Sequence, residues 1–382
     1  MESSKQTRQI ILRLLNNLGS QKEVQQYLKK FSALETDKFA IVKVGGEILQ
    51  QDVAALSSSL AFLQQVGLAP IIVHGAGPQL NQTLASEGIE SRVVDGLRVT
   101  TPEVLKMARR VFQAENLRLV DALRDAGVRA TSITSGVFEA ELLDKDKYGM
   151  VGKITGVHMD LIRAALRAQS MPVISPFAET VDGQILNVNA DMATSELVHA
   201  AQPFKIIFLT GTGGILDHDG NLISSINLST DYQHLMSSDW LHSGMRLKLQ
   251  QVHDMLLDLP HSSSVSITQP AMLAKELFTY RGSGTLVRYG ENIQVCKNWS
   301  DVDQGRLKNL LESSFQKTLS EDYFETTELA AVFVSDSYRA AAVIVPRVVD
   351  PGSNQIVAPA PLDAAVPSGT GDASATAIRS PY

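Results

Sequence analysis

Short blocks of apolar, β-branched residues recur along the chain, and glycines follow several of them. Phe39-Ala-Ile-Val-Lys-Val44 is broken only by Lys43 and ends in Gly45-Gly46. That pattern predicts a buried strand feeding a tight turn. Pro70-Ile-Ile-Val-His74 repeats it and runs into Gly75-Ala-Gly77. Lys205-Ile-Ile-Phe-Leu-Thr210 repeats it before Gly211-Thr-Gly-Gly214, and Met171-Pro-Val-Ile-Ser175 is a further strand candidate. Helical spacing fills the gaps: residues 52–66, a helix opening at 78–87, and one from Asp191 through Ala201. Thr101-Pro102-Glu103 predicts a capped helix start, with the helix running to about residue 127. Asp182-Gly183 and Asp219-Gly220 signal hairpins. Strand–helix alternation from 39 to about 288 predicts an α/β domain with a parallel sheet, whose ligands sit at the carboxyl ends of the strands.

The flanks read differently. Ile10, Ile11, Leu14, Leu15 and Leu18 recur at helical spacing, and Val24, Tyr27, Leu28 and Phe31 form a second short helix. Residues 1–38 are thus an amphipathic arm that either covers the first domain's core or mediates subunit contact. Beyond 290 the pattern predicts a helix over 299–315 and strands at 330–334 and 340–345. From 346 to 382, 20 of 37 residues are Pro, Ala, Ser or Gly. Such a segment buries too little to offset its ordering entropy, so it is predicted to be disordered.

Composition narrows the function classes. The chain has 382 residues, long enough for two domains, and 44% are hydrophobic. A net charge of -7 and a pI near 5.7 argue against nucleic acid as a partner. Cys296 is the single cysteine, which excludes an internal disulfide and fits a cytoplasmic home. No apolar run approaches the roughly 18 residues of a membrane span.

Lys43 is the first chemical candidate. A lysine closing a buried strand beside two glycines suits phosphate, because glycines let backbone N–H groups approach the oxygens. Alone, the pattern fits an ordinary strand-to-helix turn equally well. There is no GxxxxGK[ST] motif, and Gly75-Ala-Gly-Pro-Gln-Leu80 lacks the third glycine of a dinucleotide fingerprint.

Taken in order, Lys-Val-Gly-Gly at 43–46, His-Gly-Ala-Gly-Pro at 74–78, Gly-Leu-Arg-Val-Thr at 96–100, Leu-Asn-Val-Asn-Ala-Asp at 186–191, the glycines at 211–214 and Gly-Met-Arg-Leu-Lys at 244–248 resemble the N-acetylglutamate kinases of the amino-acid kinase family. The resemblance covers about residues 39–290. It is closer still to the bifunctional N-acetylglutamate synthase/kinases, in which an acetyltransferase domain of the GNAT type follows. The implied fold is the α/β amino-acid kinase fold, a mainly parallel open sheet sandwiched by helices, over 39–290. An incomplete α+β GNAT-like segment would follow over 291–345, and then the disordered tail.

The resemblance implies ATP-dependent phosphorylation of the side-chain carboxylate of N-acetyl-L-glutamate in arginine biosynthesis, with Mg²⁺ and no protein metal ligands. That carboxylate is already ionised, with a pKa of about 4.3, so the task is positioning and charge neutralisation without a general base. Lys43 and Lys248 would meet the transferring phosphoryl group and the ATP phosphates, and Asp191 would orient both lysines. Gly45 and Gly46 would admit the phosphates. Thr210, Gly211 and Gly213 belong to the nucleotide loop, which departs from the monofunctional kinases by lacking their aspartate. Ala76 and Gly77 would bind the substrate through backbone groups, Arg98 would grip its α-carboxylate, and Asn187 would hydrogen-bond it. On their residues alone, Lys248 and Arg98 read as surface cations, Asp191 as a helix-start acid and Asn187 as a turn residue. His74 reads as structural.

Glu276 and the loop Gly282-Ser-Gly-Thr285 resemble the region where arginine binds in sensitive enzymes, so feedback by L-arginine is expected, as is a homo-oligomer. A GNAT domain needs a Q/R-x-x-G-x-G/A turn for the coenzyme A pyrophosphate. None is present, so acetyl-CoA-dependent synthase activity is expected to be absent, and the abrupt change near Val345 suggests truncation or a frame change. The alternatives are a working synthase/kinase and a non-catalytic, arginine-sensing regulatory subunit.

Overall fold

A computed structural model of the chain describes residues 21–345, apart from 242, 261–262, 280–281, 316 and 339, together with three short strand segments beyond. Contacts divide the chain into two units, Met1–Tyr289 and Gly290–Tyr382.

The first unit is built on an eight-stranded sheet. In chain order its strands are β1 (Ala40–Val44), β2 (Ile71–His74), β3 (Ala130–Ile133), β4 (Met171–Ile174), β5 (Lys205–Leu209), β6 (Ser225–Asn227), β7 (Ser264–Thr268) and β8 (Thr285–Arg288). Across the sheet they run β6-β8-β7-β5-β1-β2-β4-β3. All neighbours pair parallel except β7 with β8. The apolar runs are continuous because both faces are covered. Ile41, Ile71, Val73, Ile206 and Phe208 enter one core, while Val42, Val44, Ile72, Ile207 and Leu209 enter the other.

The chain leaves β1 for β2 on one side and returns later to β5 on the other. β1 is therefore the switch point, where loops diverge and leave a crevice at the strands' carboxyl ends. A smaller four-stranded sheet, ordered Ile185–Asn187, Phe177–Glu179, Phe138–Leu142 and Gly152–Val157, lies in the same unit.

Several sequence expectations change in detail. The helix expected over 52–66 spans Val53–Gln65, and a further short helix, Gly46–Gln51, precedes it, the two separated at Asp52, which leaves helical geometry at φ -140°. The helix expected from Thr101 to about 127 spans Pro102–Asp125, and Thr101 Oγ1 accepts from Val104 N–H. Asp182-Gly183 does turn a hairpin between Phe177–Glu179 and Ile185–Asn187. At Asp219-Gly220 only one bridge forms, Leu216 to Leu222, because the Asp217 carboxylate takes the N–H groups of Asp219 and Asn221. In the arm, Gln21–Ser32 is a helix whose Phe31 packs edge-on to Phe39 and Phe278. The helix expected over 10–18 lies outside the described residues.

In the second unit, Ile293–Cys296, Ala331–Ser335 and Ala340–Val345 form an antiparallel sheet. Leu307, Leu310 and Leu311 of the helix Gln304–Phe315 share a core with Val332, Val334 and Val343. Ser374–Arg379, from the segment expected to lack structure, is placed as a fourth strand on Ala340–Val345. Most of 346–382 lies outside the described residues.

Candidate active site

The carboxyl ends of β1 and β2 open into a cavity of about 290 Å³. Lys43 and Gly46 from β1 and its turn line it, with Ala76 and Gly77 from the turn after β2. Arg98 reaches it from a small hairpin, Val93–Val94 paired with Leu97–Arg98, and Asn187 and Asp191 come from the other wall. Seven of the residues expected from sequence thus line one cavity, although they span almost 150 positions of chain.

Local chemistry places each of them. Lys43 Nζ pairs with Asp191 Oδ1 at 2.7 Å, both side chains mostly buried. Asp191 is held in the first turn of the helix Ala190–Ala201, where Asn189 caps the helix by accepting from the N–H groups of Asp191 and Met192. The Asn187 carboxamide donates to Thr100 Oγ1 at 3.0 Å. Thr100 in turn donates its hydroxyl to the Arg98 carbonyl, so the wall carrying Asn187 and the strand carrying Arg98 are tied together. The Arg98 guanidinium donates to Asn81 Oδ1 and Ser91 Oγ. Burial lowers its pKa from the ordinary arginine value, but a guanidinium remains cationic at any physiological pH.

The hairpin carrying Arg98 turns at Asp95-Gly96, both with positive φ. That is the Asp-Gly chemistry of a type I′ turn. Asp95 accepts from Lys147 Nζ at 2.7 Å and from Tyr148 Oη at 2.8 Å, which anchors the hairpin tip.

Lys248, on the helix Ser243–Leu257, does not line this cavity, yet it belongs to the same electrostatic system. Burial pushes its pKa down, and the nearby charge of Lys43 pushes it down further. Asp191 and Glu47 act in the opposite direction. Gly45 adjoins β5: a Cβ there would lie 3.6 Å from the Leu209 carbonyl. Thr210, Gly211 and Gly213 follow β5 at the same sheet edge, outside the cavity walls. Gly213 has φ +75°, and its N–H donates to Thr210 Oγ1, which folds this loop on itself. A side chain at Gly213 would also strike Gln269, at 2.8 Å.

His74 is fully buried on β2, below the turn. Its Nε2 lies 3.1 Å from both Asn116 Nδ2 and Ser175 Oγ, and desolvation lowers its pKa to about 4. It is a neutral core group, as expected. Sequence reasoning missed Phe112, Val151 and Asn189 as cavity residues. Asn189 carried a signal, as an N-cap residue just before the helix; the other two are apolar positions that only tertiary assembly brings to the cavity.

The cavity presents cations and backbone N–H groups around one carboxylate that is already paired. Such a donor set is suited to anions. Mg²⁺ fits it only as a companion of nucleotide phosphates, which is how this ion commonly binds. Among the described residues, the one cluster with metal-ligand spacing is Asp217, His218 and Asp219, in the surface turn.

Residues 38–258 match the amino acid kinase family. The chain belongs to the amino acid kinase family. An acetylglutamate kinase of Xanthomonas campestris is 58% identical over 327 residues, covering 86% of this chain and 77% of that protein. An acetylglutamate kinase of Xylella fastidiosa is 56% identical, covering 86% of this chain and 78% of that protein. Among solved structures, N-acetylglutamate synthase from Neisseria gonorrhoeae, complexed with coenzyme A and N-acetyl-glutamate, superposes with a TM-score of 0.65 at 20% identity. That match covers 85% of this chain and 76% of that one, and it bears on the fold alone. It agrees with the amino-acid kinase fold and mostly parallel sheet expected from the motifs.

Proposed function

We infer that the protein transfers the γ-phosphoryl group of ATP to the side-chain carboxylate of N-acetyl-L-glutamate, giving N-acetyl-L-glutamyl 5-phosphate for arginine biosynthesis. The observation that carries this reading is the Lys43–Asp191 pair, set in one cavity with Arg98, Asn187 and the glycine turns. A carboxylate oxygen attacks the γ-phosphorus, the bond to the ADP oxygen breaks, and ADP leaves with its electron pair. No proton has to move from the nucleophile.

In this reading Arg98 and Asn187 hold the acetylglutamate, together with the backbone at Ala76 and Gly77. Lys43 and Lys248 offset the charge that gathers on the phosphoryl oxygens, which is where preorganised donors contribute most. Asp191 keeps the two cations apart in orientation while lowering their mutual repulsion. Gly45 and Gly46 admit the phosphates, and the Thr210–Gly213 loop faces the nucleotide. Mg²⁺, arriving with ATP, would add charge neutralisation on the phosphates.

The test is incubation with ATP, Mg²⁺ and N-acetylglutamate, with hydroxylamine trapping the acyl phosphate. Hydroxamate that a Lys43→Ala control abolishes supports the reading; folded wild-type protein that makes none refutes it.

Feedback by L-arginine is proposed at the loop after Phe278. There the buried Glu276 carboxylate accepts from the N–H groups of Ser283 and Gly284 at 2.7 and 3.0 Å, shaping a turn beside a carboxylate. An arginine titration without loss of activity at millimolar levels would exclude it. A homo-oligomer in the cytoplasm completes the proposal, and sedimentation measures the former.

A further inference from the structure

The phosphate turn and the substrate turn touch through one side chain that none of the motifs singled out. Gln79 follows Pro78 in the helix Gly77–Ser86. Its Nε2 donates to the Gly46 carbonyl at 2.8 Å. The same nitrogen faces Glu115 Oε2 at 3.4 Å. Glu115 is itself fixed by Arg118, whose Nε and Nη2 lie 3.1 and 2.6 Å from that oxygen. Arg118 also donates to the Leu49 carbonyl, at the far end of the short helix that Gly46 opens. Both acceptors around Gln79 can only accept, so the amide nitrogen must face them. Its Oε1 is left buried and without a partner among the described residues.

Packing reinforces the hydrogen bond. A Cβ at Gly46 would lie 2.8 Å from Gln79 Oε1, 2.8 Å from Pro78 Cδ and 3.1 Å from Ala76 Cα. Gly46 is therefore glycine because Gln79 and the substrate turn press against it. The C=O and N–H of a trans peptide point in opposite directions. Fixing the Gly46 carbonyl against Gln79 thus fixes the Glu47 N–H on the opposite side of that peptide plane.

We propose that Gln79 is a positioning residue: its carboxamide, oriented by Glu115 and Arg118, locks the Gly46–Glu47 peptide plane and couples the phosphate turn to the substrate turn at Ala76–Pro78. The inference rests on the phosphotransfer reading above. Positioning of this kind acts on kcat, because misplacement by about 1 Å is enough to cost about 10²-fold in rate. The Arg98 and Asn187 side chains hold acetylglutamate from other elements, so KM for acetylglutamate changes far less than kcat.

Gln79→Ala and the isosteric Gln79→Glu test it, with folding followed by thermal melting. Gln79→Ala should lower kcat by about 10²-fold while KM for acetylglutamate stays within about threefold. In Gln79→Glu the new carboxylate faces the Gly46 carbonyl and the Glu115 carboxylate, so it repels both until it is protonated. Protonation restores a donor, and kcat of this variant should rise as pH falls from about 8 to about 6, unlike wild type. A merely structural glutamine would give no such recovery.

The proposal is overturned if folded Gln79→Ala keeps kcat within about twofold of wild type, or if Gln79→Glu follows the wild-type pH profile. Should Gln79→Ala unfold, Gln79→Glu decides alone. Absence of hydroxamate from the wild-type protein overturns the kinase reading and this inference together, whereas wild-type activity with unaffected variants overturns the inference alone.

Discussion

Lys43 and Asp191 stand 148 positions apart in sequence, yet their charged atoms meet at 2.7 Å. The pair joins the carboxyl end of the central strand to the first turn of the helix Ala190–Ala201. It fixes the Lys43 ammonium at the cavity wall. Replacing Lys43 by Ala removes a preorganised donor, and kcat should fall by roughly 10² to 10³-fold. Asp191→Asn should lose a comparable amount although in the kinase reading Asp191 meets no phosphate itself, because two lysines are left without their counter-charge. Steady-state hydroxamate assays at saturating acetylglutamate measure both. An Asp191→Asn enzyme with wild-type kcat would break the argument.

The same carboxylate controls the alkaline side of the pH profile. Burial and Lys43 hold the Lys248 pKa below the ordinary lysine value, while Asp191 raises it. Activity that needs the Lys248 ammonium is lost as pH rises through that lowered value. Removing Asp191's charge lowers it further, so the alkaline limb of kcat/KM should move to lower pH in Asp191→Asn. Stability carries the opposite sign: between the lowered pKa and the ordinary one the native state binds fewer protons than the unfolded chain, so stability rises with pH there. A limb that stays in place or moves upward would show that Lys248 is not the group titrating.

Part of this site was legible in the sequence and part was not, for physical reasons. Lys43, Gly45-Gly46 and Gly75-Ala-Gly77 were legible because a charge or a glycine interrupts a β-branched run, and local chemistry explains it poorly. The central strands were legible for the same reason: both faces are buried, so they read as unbroken apolar blocks. β3, Ala-Thr-Ser-Ile, was not, since its two middle residues are polar and only pairing with β4 makes it a strand. Strands Phe138–Leu142 and Gly152–Val157 alternate buried and more exposed positions, with charges at Glu139, Glu141 and Lys153, so they lack the unbroken apolar block that marks the central strands. Lys248 looks like any helix-surface lysine until folding buries much of it and brings the charges of Lys43, Asp191 and Glu47 near it. Gln79 gave no signal, because its partners are a backbone carbonyl 33 positions earlier and a glutamate 36 later.

Arg98 separates binding from chemistry. Its guanidinium is held by Asn81 and Ser91, and it takes no part in the Lys43–Asp191 ion pair. In the kinase reading it meets the α-carboxylate, which does not change charge during transfer. A hydrogen bond to a charged group contributes about 1.5–3 kcal/mol, or roughly 10 to 100-fold. Arg98→Ala should raise KM for acetylglutamate by that factor, with kcat changing much less. Arg98→Lys should recover little of the loss, because a single ammonium cannot reproduce the two-pronged geometry. A kcat defect with unchanged KM would place Arg98 on the phosphoryl group instead.

The last prediction concerns acid sensitivity. His74 sits on β2 with no solvent contact, and its Nδ1 lies 3.4 Å from the Gly75 carbonyl. That acceptor favours a proton on Nδ1, leaving Nε2 to accept from Asn116 and Ser175. Desolvation holds the folded pKa near 4, against 6.5 for the free imidazole. Between those values the unfolded chain takes up a proton that the native protein refuses, so stability falls as pH drops from 6.5 towards 4. The gap is worth roughly 3 kcal/mol in full. Other groups titrate over the same range, so the test is a difference. Urea midpoints for wild type and His74→Gln should converge as pH falls, because glutamine has no proton to refuse, even though His74→Gln starts out less stable at pH 7. Parallel curves would mean that His74 takes up its proton within the folded state.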